Sequence, residues 1–241
     1  MLFDDLSFED CIKRALIVLS IDAIGSFDLY LKYANKKKYD RKKEDLGFLN
    51  YLYGISCYKK KEYSNAYTFF LKAKDLLCNC SKAVDVYKYL GYTTFYMCQY
   101  EESISFFKMV ENHLKNKNSN PISVIRNLYW LGLGYEKLGN DTDAYKYFLQ
   151  TLKNAEEYEN KEWIARVYCK FSESNIYKKY PYLSIDNLLL AEQYAKEASN
   201  NELLAVCVLK RCNIYLSMGN IDKAKEITNN YISYINNDLK A

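Results

Sequence analysis

The sequence predicts an all-α fold, a solenoid of about six antiparallel helical hairpins. Three observations predict it. Only 8 glycines and 2 prolines occur in 241 residues, fewer turn residues than a strand-rich chain of this length needs. Apolar residues recur at three- and four-residue spacing, the signature of helices with one buried face. A pattern of small residue, short turn, second small residue and large apolar residue returns at Gly54, Gly91, Gly132 and Cys212, and in degenerate form at Ser172, in steps of about 37 to 41 residues.

Helices are expected near 7–21 and 26–36, 44–59 and 63–78, 82–97 and 100–115, 121–137 and 141–157, 161–178 and 184–198, and 202–217 and 221–236. The first hairpin, within 1–44, is the least regular. It is expected to turn at Gly25 and to cap the stack, as terminal repeats do. Lys36-Lys37-Lys38 and Arg41-Lys42-Lys43 then read as a solvated linker or as an anion-binding run. The second hairpin places Tyr63, Ala66, Phe70 and Ala73 after Gly54. The third places Tyr100, Ser103, Phe107 and Val110 after Gly91. Asn120-Pro121 starts the fourth, an N-cap with proline in the first turn. Gly139 and Asn140 stop its first helix, and Asp141 is expected to cap the second. In the fifth, KYPYLSIDN is expected to lengthen the turn before Ala191, Ala195 and Ala198. The sixth carries Tyr215, Gly219, Ile221 and Ala224 after Cys212. Each hairpin needs its neighbours to bury its apolar face, so residues 1–241 are expected to form one domain.

The glycines of LGLGYEKLGNDTDAYKYFL (131–149) do not cradle a phosphate. Gly134 and Gly139 have P-loop spacing, but Asn140 and Asp141 stand where lysine and a hydroxyl are required. Lys137 replaces the third glycine of a dinucleotide loop, and the preceding SVIRNLYWL has helical spacing rather than a strand pattern. Catalytic groups are equally sparse. His113 is the single histidine and reads as a solvated residue near a helix end. Cys78 and Cys80 lack a second pair for a metal site. Asp4-Asp5, Glu101-Glu102 and Glu156-Glu157 are helix neighbours that diverge. No catalytic residue, metal ligand or cofactor is expected.

The net charge of +4 is too small to imply nucleic acid, and no direct nucleic-acid contact is expected. MLFDDLSFEDC lacks the basic start of a signal peptide. The apolar run from Ala15 to Gly25 is short and interrupted by Asp22, so no membrane span is expected. The 8 scattered cysteines fit a reducing cytoplasm. Tyrosine, at 26 residues, serves either as packing between helices with its hydroxyl at the wet edge or as a binding surface.

Over residues 45–236 the pattern resembles the tetratricopeptide repeat (TPR), most clearly at Leu131, Gly132, Tyr135, Gly139, Ala144 and Phe148. The step near 40 exceeds the usual 34 and implies longer helices. The resemblance implies a right-handed superhelix of five repeats after the capping hairpin. It implies a concave groove, lined by the first helix of each hairpin, that binds a peptide or protein segment. Projecting those helices inward nominates Tyr51, Ile55, Tyr58 and Lys59, then Lys88, Tyr92 and Tyr96, then Arg126, Tyr129, Leu133 and Lys137. Arg166, Lys170, Glu173, Tyr177, Lys210 and Asn213 complete an aromatic, net basic surface. Tyr51 and Ile55 cannot supply the lysine–asparagine clamp of chaperone-binding TPR modules.

The long step and the Lys, Asn and Tyr content look more like the peptide-sensing regulators of Gram-positive bacteria and their phages, which act in quorum sensing. The chain departs from their common form, since no helix-turn-helix precedes the repeats. Two readings follow: a peptide-sensing regulator, or a static adaptor holding a larger protein. A homodimer stays open in both.

Overall fold

The computed structural model describes residues 6–36, 42–77, 82–115, 119–173 and 179–238, and among these every regular element is an α-helix. There are twelve: α1 (Phe8–Ser20), α2 (Ile24–Lys36), α3 (Lys43–Lys59), α4 (Tyr63–Leu77), α5 (Ala83–Tyr96), α6 (Tyr100–Leu114), α7 (Pro121–Lys137), α8 (Asp141–Glu157), α9 (Lys161–Phe171), α10 (Pro181–Glu197), α11 (Asn201–Ser217) and α12 (Ile221–Asp238). Successive helices pair as hairpins. The contacts divide the chain into two units, Met1–Lys117 with α1 to α6 and Asn118–Ala241 with α7 to α12.

One local device builds the hairpins. In three of them a glycine of the first helix lies against a phenylalanine ring sixteen residues on, in the second helix. A Cβ added to Gly132 would stand 2.6 Å from the Phe148 ring, one on Gly54 2.4 Å from Phe70, and one on Gly91 2.8 Å from Phe107. No side chain fits there, so the ring packs onto bare backbone. Twelve residues after each glycine stands another small residue, Ala66, Ser103 or Ala144, and all three are buried. Ser103 carries a hydroxyl into this contact and satisfies it by donating to the Gly91 carbonyl at 2.8 Å. In the sixth hairpin Cys212 takes the glycine's place, its Sγ lying 3.7 Å from the Ala224 carbonyl and 3.6 Å from the Thr228 hydroxyl.

The turns share a second device. Seven residues after the small residue the chain takes a positive φ, at Lys61 (63°), Cys98 (61°), Gly139 (75°) and Gly219 (76°). The left-handed residue ends the first helix and reverses the chain. Asp22 (58°) does the same seven residues after buried Ala15. The first hairpin therefore turns at Asp22, and Gly25 lies inside α2, contrary to the expected turn at Gly25.

Two further expectations are corrected. Asp141 does not cap α8; Asn140 does, accepting from the Asp143 amide at 3.1 Å. The carbonyl-type side chain of asparagine caps α7, α9, α11 and α12 as well, through Asn120, Asn160, Asn200 and Asn220. Most of the KYPYLSIDN stretch expected to lengthen the turn of the fifth hairpin is helix, from Pro181 to Asn187. Pro181 opens α10, so Ser184 and Leu188 stand twelve and sixteen residues after Ser172, in the register of the other copies, and all three are buried. The helix expected over 161–178 ends at Phe171 among the described residues. Residues 37–41, Cys78, Cys80 and Tyr177 lie outside the described residues, as do Asp4 and Asp5.

Tyrosine packs mainly between helices. In the first unit Tyr51 touches the rings of Phe48, Phe70 and Tyr89, while Tyr58 touches those of Tyr63, Tyr89, Tyr92 and Tyr96. Burial is the largest influence pushing the Tyr51 and Tyr58 hydroxyls above the ordinary tyrosine value. In the second unit the carboxylate of Glu192, 6% exposed, receives both arms of the Arg211 guanidinium, at 2.6 and 2.8 Å, which ties α10 to α11.

Gly132→Ala is expected to destabilise the protein by about 1–2 kcal/mol, because the ring contact outweighs the gain in helix propensity. Urea unfolding followed by circular dichroism measures it. Combined with Phe148→Leu, the loss is expected to fall about 1 kcal/mol short of the sum of the single losses.

Candidate functional site

In the second unit α7, α9 and α11 are the first helices of three successive hairpins, so the repeat sets corresponding side chains on neighbouring helices. Lys170 and Lys210 stand one repeat apart, each two residues before the small residue. Glu173 and Asn213 likewise stand one residue after it. The outcome is a ladder of alternating charge. Lys170 Nζ lies 2.9 Å from Glu136 Oε2 on α7 and 3.0 Å from Glu173 Oε2. The other oxygen of Glu173 accepts from Lys210 on α11.

These groups are half withdrawn from water; the Lys170 side chain is 17% exposed. Burial works against the charge of Lys170, but hydrogen bonds to Glu136 and Glu173 outweigh it and raise its pKa above the ordinary 10.5. Burial also opposes ionisation of Glu173. The bonds from Lys210 and Lys170 again win and hold its carboxyl below the ordinary 4.5.

A cavity of about 660 Å³ opens beside the ladder. Ala144, Tyr145 and Phe148 of α8, Phe171, and Ile214 of α11 provide its apolar lining. Glu136, Lys170, Glu173 and Lys210 provide the polar side, and exposed Lys137, Asp141 and Asn213 stand at its edge. A second cavity, of about 280 Å³, shares Lys170, Glu173 and Lys210 with the first and adds Tyr129, Arg166 and Cys169. Tyr129 packs its ring on Trp163 at 5.3 Å, and burial is the largest cause raising its hydroxyl to about 12. Arg166 is held by Glu162 at 2.7 Å.

Seven of the nominated residues thus meet around two adjoining cavities: Tyr129, Lys137, Arg166, Lys170, Glu173, Lys210 and Asn213. Arg126 is exposed and lines neither, and Leu133 packs with Ala144 and Phe148. In the first unit, Tyr51, Tyr58 and Tyr92 belong to the ring packing. Tyr96 also borders an open depression with Lys61 and Tyr63, and Lys88 pairs with Asp85 at 2.5 Å. Ile55 is 4% exposed and belongs to the buried core cluster that also contains Phe70 and Leu90, rather than to an open surface. Lys59 is bound to Asp22.

The surface is not net basic where the cavity forms. Lys137, Lys170 and Lys210 meet Glu136, Asp141 and Glu173, and charge balances. Glu173 is among the nominated residues, whereas Glu136 and Asp141 are not, because inward projection favours long cations and rings. Glu136 immediately precedes nominated Lys137 in α7, about 100° round the helix from it, and brings a second carboxylate within reach of Lys170.

Other chemistry-bearing groups stand apart from this site. His113 is exposed, with Nδ1 2.8 Å from the Met109 carbonyl. Glu102 accepts from the Tyr67 hydroxyl at 2.6 Å, joining α6 to α4. Among the described residues no three His, Cys, Asp or Glu side chains gather to hold a metal, and no helix is long and apolar enough to cross a membrane.

No protein-family model matches the chain, and no curated protein matches it. Solved structures do. The Rap conjugation gene regulator of the plasmid pLS20, in complex with the Phr* peptide, is similar with TM-score 0.65 and 16% identity over 90% of this chain and 64% of that one. The apo quorum sensor NprR from B. thuringiensis is similar with TM-score 0.78 and 12% identity, over 95% of this chain and 66% of that one. Aspartyl phosphate phosphatase F from Bacillus subtilis is similar with TM-score 0.74 and 14% identity, over 96% and 75%. This chain therefore spans less than two thirds of the plasmid regulator's length. At such identities the likeness is one of fold, and the fold is the TPR-like helical repeat of these regulators.

The two pKa shifts set a pH window for the ladder. A depressed carboxyl contributes stability above its unfolded value, here 4.5, and loses it as pH falls through the folded value. A raised lysine contributes below 10.5 and loses it as pH rises through its folded value. Glu173→Gln is expected to cost about 1 kcal/mol at neutral pH, a figure kept small by solvent screening. In urea titrations the gap to wild type is expected to narrow at acid pH, below the ordinary 4.5. An equal gap at both pH values would remove the carboxylate charge as its source.

Proposed function

We propose that this chain is a peptide-binding regulator, non-enzymatic and cytoplasmic, that takes a short peptide into the paired cavities of its second unit. The observation that carries this reading is the meeting of an apolar recess, lined chiefly by α8, with a two-sided charge ladder set on three successive first helices. A peptide carries apolar side chains, amides and charges of both signs at its ends. The recess can take the first, while Lys210, Glu136 and the edge residues can exchange their internal partners for the last. The fold similarity to proteins described as a Phr*-bound regulator and as a quorum sensor adds support.

In this reading the peptide is a signal. Binding it favours one arrangement of the helices, and that shift changes affinity for a second partner, supplied by this chain or another. A static adaptor would use the same fold. The small recess with exchangeable ion pairs favours a short ligand over a broad protein surface.

Selection from a random heptapeptide library against the full chain tests the proposal. Enriched peptides are expected to bind Lys210→Glu at least about tenfold more weakly, the weight of one charge-assisted hydrogen bond. Arg126→Ala is expected to leave binding unchanged. Enrichment of no sequence, or of sequences indifferent to Lys210, would end the assignment to this cleft.

A further inference from the structure

We propose that the larger cavity of the second unit selects a peptide by its charge order: a cationic group lies at Glu136 on α7, and an anionic group about three to five residues later lies at Lys210 on α11. The inference rests on the peptide-binding reading and deepens it by naming the charge pattern of the ligand. Its basis is that the charge ladder has two unlike ends. Lys170 is bonded on both sides, to Glu136 and to Glu173, and Glu173 is bonded on both sides, to Lys170 and to Lys210. Among the described residues, Glu136 ends the series with one ammonium beside it, and Lys210 ends it with one carboxylate.

The cavity lining divides in the same sense. From α7 and α8, Glu136 and Asp141 outnumber exposed Lys137; from α9, Lys170 and Glu173 cancel; from α11, Lys210 lines the cavity beside Asn213 and Ile214. The cavity is therefore neutral in sum but negative toward α7 and α8 and positive toward α11. A carboxylate with one partner keeps lone pairs for a second cation, and an ammonium with one partner keeps N–H groups for a second anion. A ligand with both signs in this order extends the ladder at each end and leaves the inner pair of Lys170 and Glu173 intact. The reversed ligand would set its carboxylate against Glu136 and its ammonium against Lys210, and like charges repel.

Geometry sets the spacing of the two ligand charges. Three hydrogen-bond lengths and the width of one carboxylate put the ends of the ladder within about 11 Å of each other, and a ligand group beyond each end adds about 3 Å. An extended chain covers ~11 Å in about three residues and ~17 Å in about five. The peptide's own termini carry the same signs in the same order, an ammonium first and a carboxylate last. Both therefore favour the N-terminus toward α7 and the C-terminus toward α11. An apolar side chain among the intervening residues has Tyr145, Phe171 and Ile214 to pack on.

Two heptapeptide libraries of equal composition test the charge order. One has lysine second and aspartate sixth, the other aspartate second and lysine sixth, and the remaining positions are random. Against the full chain the first is expected to be enriched about tenfold over the second, the weight of one charge-assisted hydrogen bond. In the double variant Glu136→Gln with Lys210→Gln the preference is expected to vanish, while Lys170 and Glu173 keep each other. Circular dichroism checks its fold. Should it not fold, either single substitution takes its place and is expected to weaken the preference. Equal enrichment of both libraries by the wild type, or a preference that survives the substitutions, overturns the charge order and leaves the peptide-binding reading standing. Failure of these libraries and of the unrestricted one alike ends both.

Discussion

The contact between a bare backbone position and an aromatic ring sixteen residues later is the constraint on which the second unit's cleft depends. Gly132 lets Phe148 lie where a Cβ would stand, 2.6 Å from the ring. That brings α7 and α8 close enough for the next hairpin to pack beside them. Dispersion at such contacts is small per atom and large in sum, and a gap of half an ångström forfeits much of it. The same spacing in the first unit, at Gly54 and Gly91, shows one solution reused, with Ser103 keeping its hydroxyl satisfied inside the contact. The positive-φ residue seven positions on completes the unit by reversing the chain at a fixed point.

Once the hairpins are in register, chemistry follows from repetition. A lysine two residues before the small position becomes, one repeat later, a lysine on the neighbouring first helix, and Glu173 lies between Lys170 and Lys210. Two cations side by side would repel; a shared carboxylate and Glu136 make the arrangement neutral. The cost of withdrawing these charges from water is offset by their hydrogen bonds, which is why Lys170 rises and Glu173 falls in pKa despite burial. Such a ladder can trade one internal partner for one from a ligand without leaving a buried charge unpaired.

Much of the fold was legible because its signals are local. Small residues, turn residues and apolar spacing act within some twenty positions, and they mark hairpins whatever surrounds them. Errors arose where two local signals competed. Gly25 drew the turn away from Asp22, though an aspartate at positive φ serves as well. Asp141 stood beside Asn140, which took the cap, and Pro181 was read as turn rather than as the first residue of α10. The asparagines at 120, 140, 160, 200 and 220 were a visible cap series, spaced with the helices themselves.

The candidate site divides along the same line. Seven nominated side chains converge because helical projection and repeat register place them, and both are properties of sequence. What projection cannot supply is depth. Whether Tyr51 and Tyr58 face a ligand or pack on Phe70 and Tyr89, and whether Ile55 lies at the surface or in the core, depends on how far one hairpin sinks against the next. The pairing of Lys170 with Glu136 is likewise a contact between separate helices. The sequence by itself determined the helices, their turns and their repeat register, because those follow from backbone conformation and short-range spacing. Only tertiary structure decided which charges neutralise one another and which rings sink into the core, because those depend on interhelical distances that no local pattern contains.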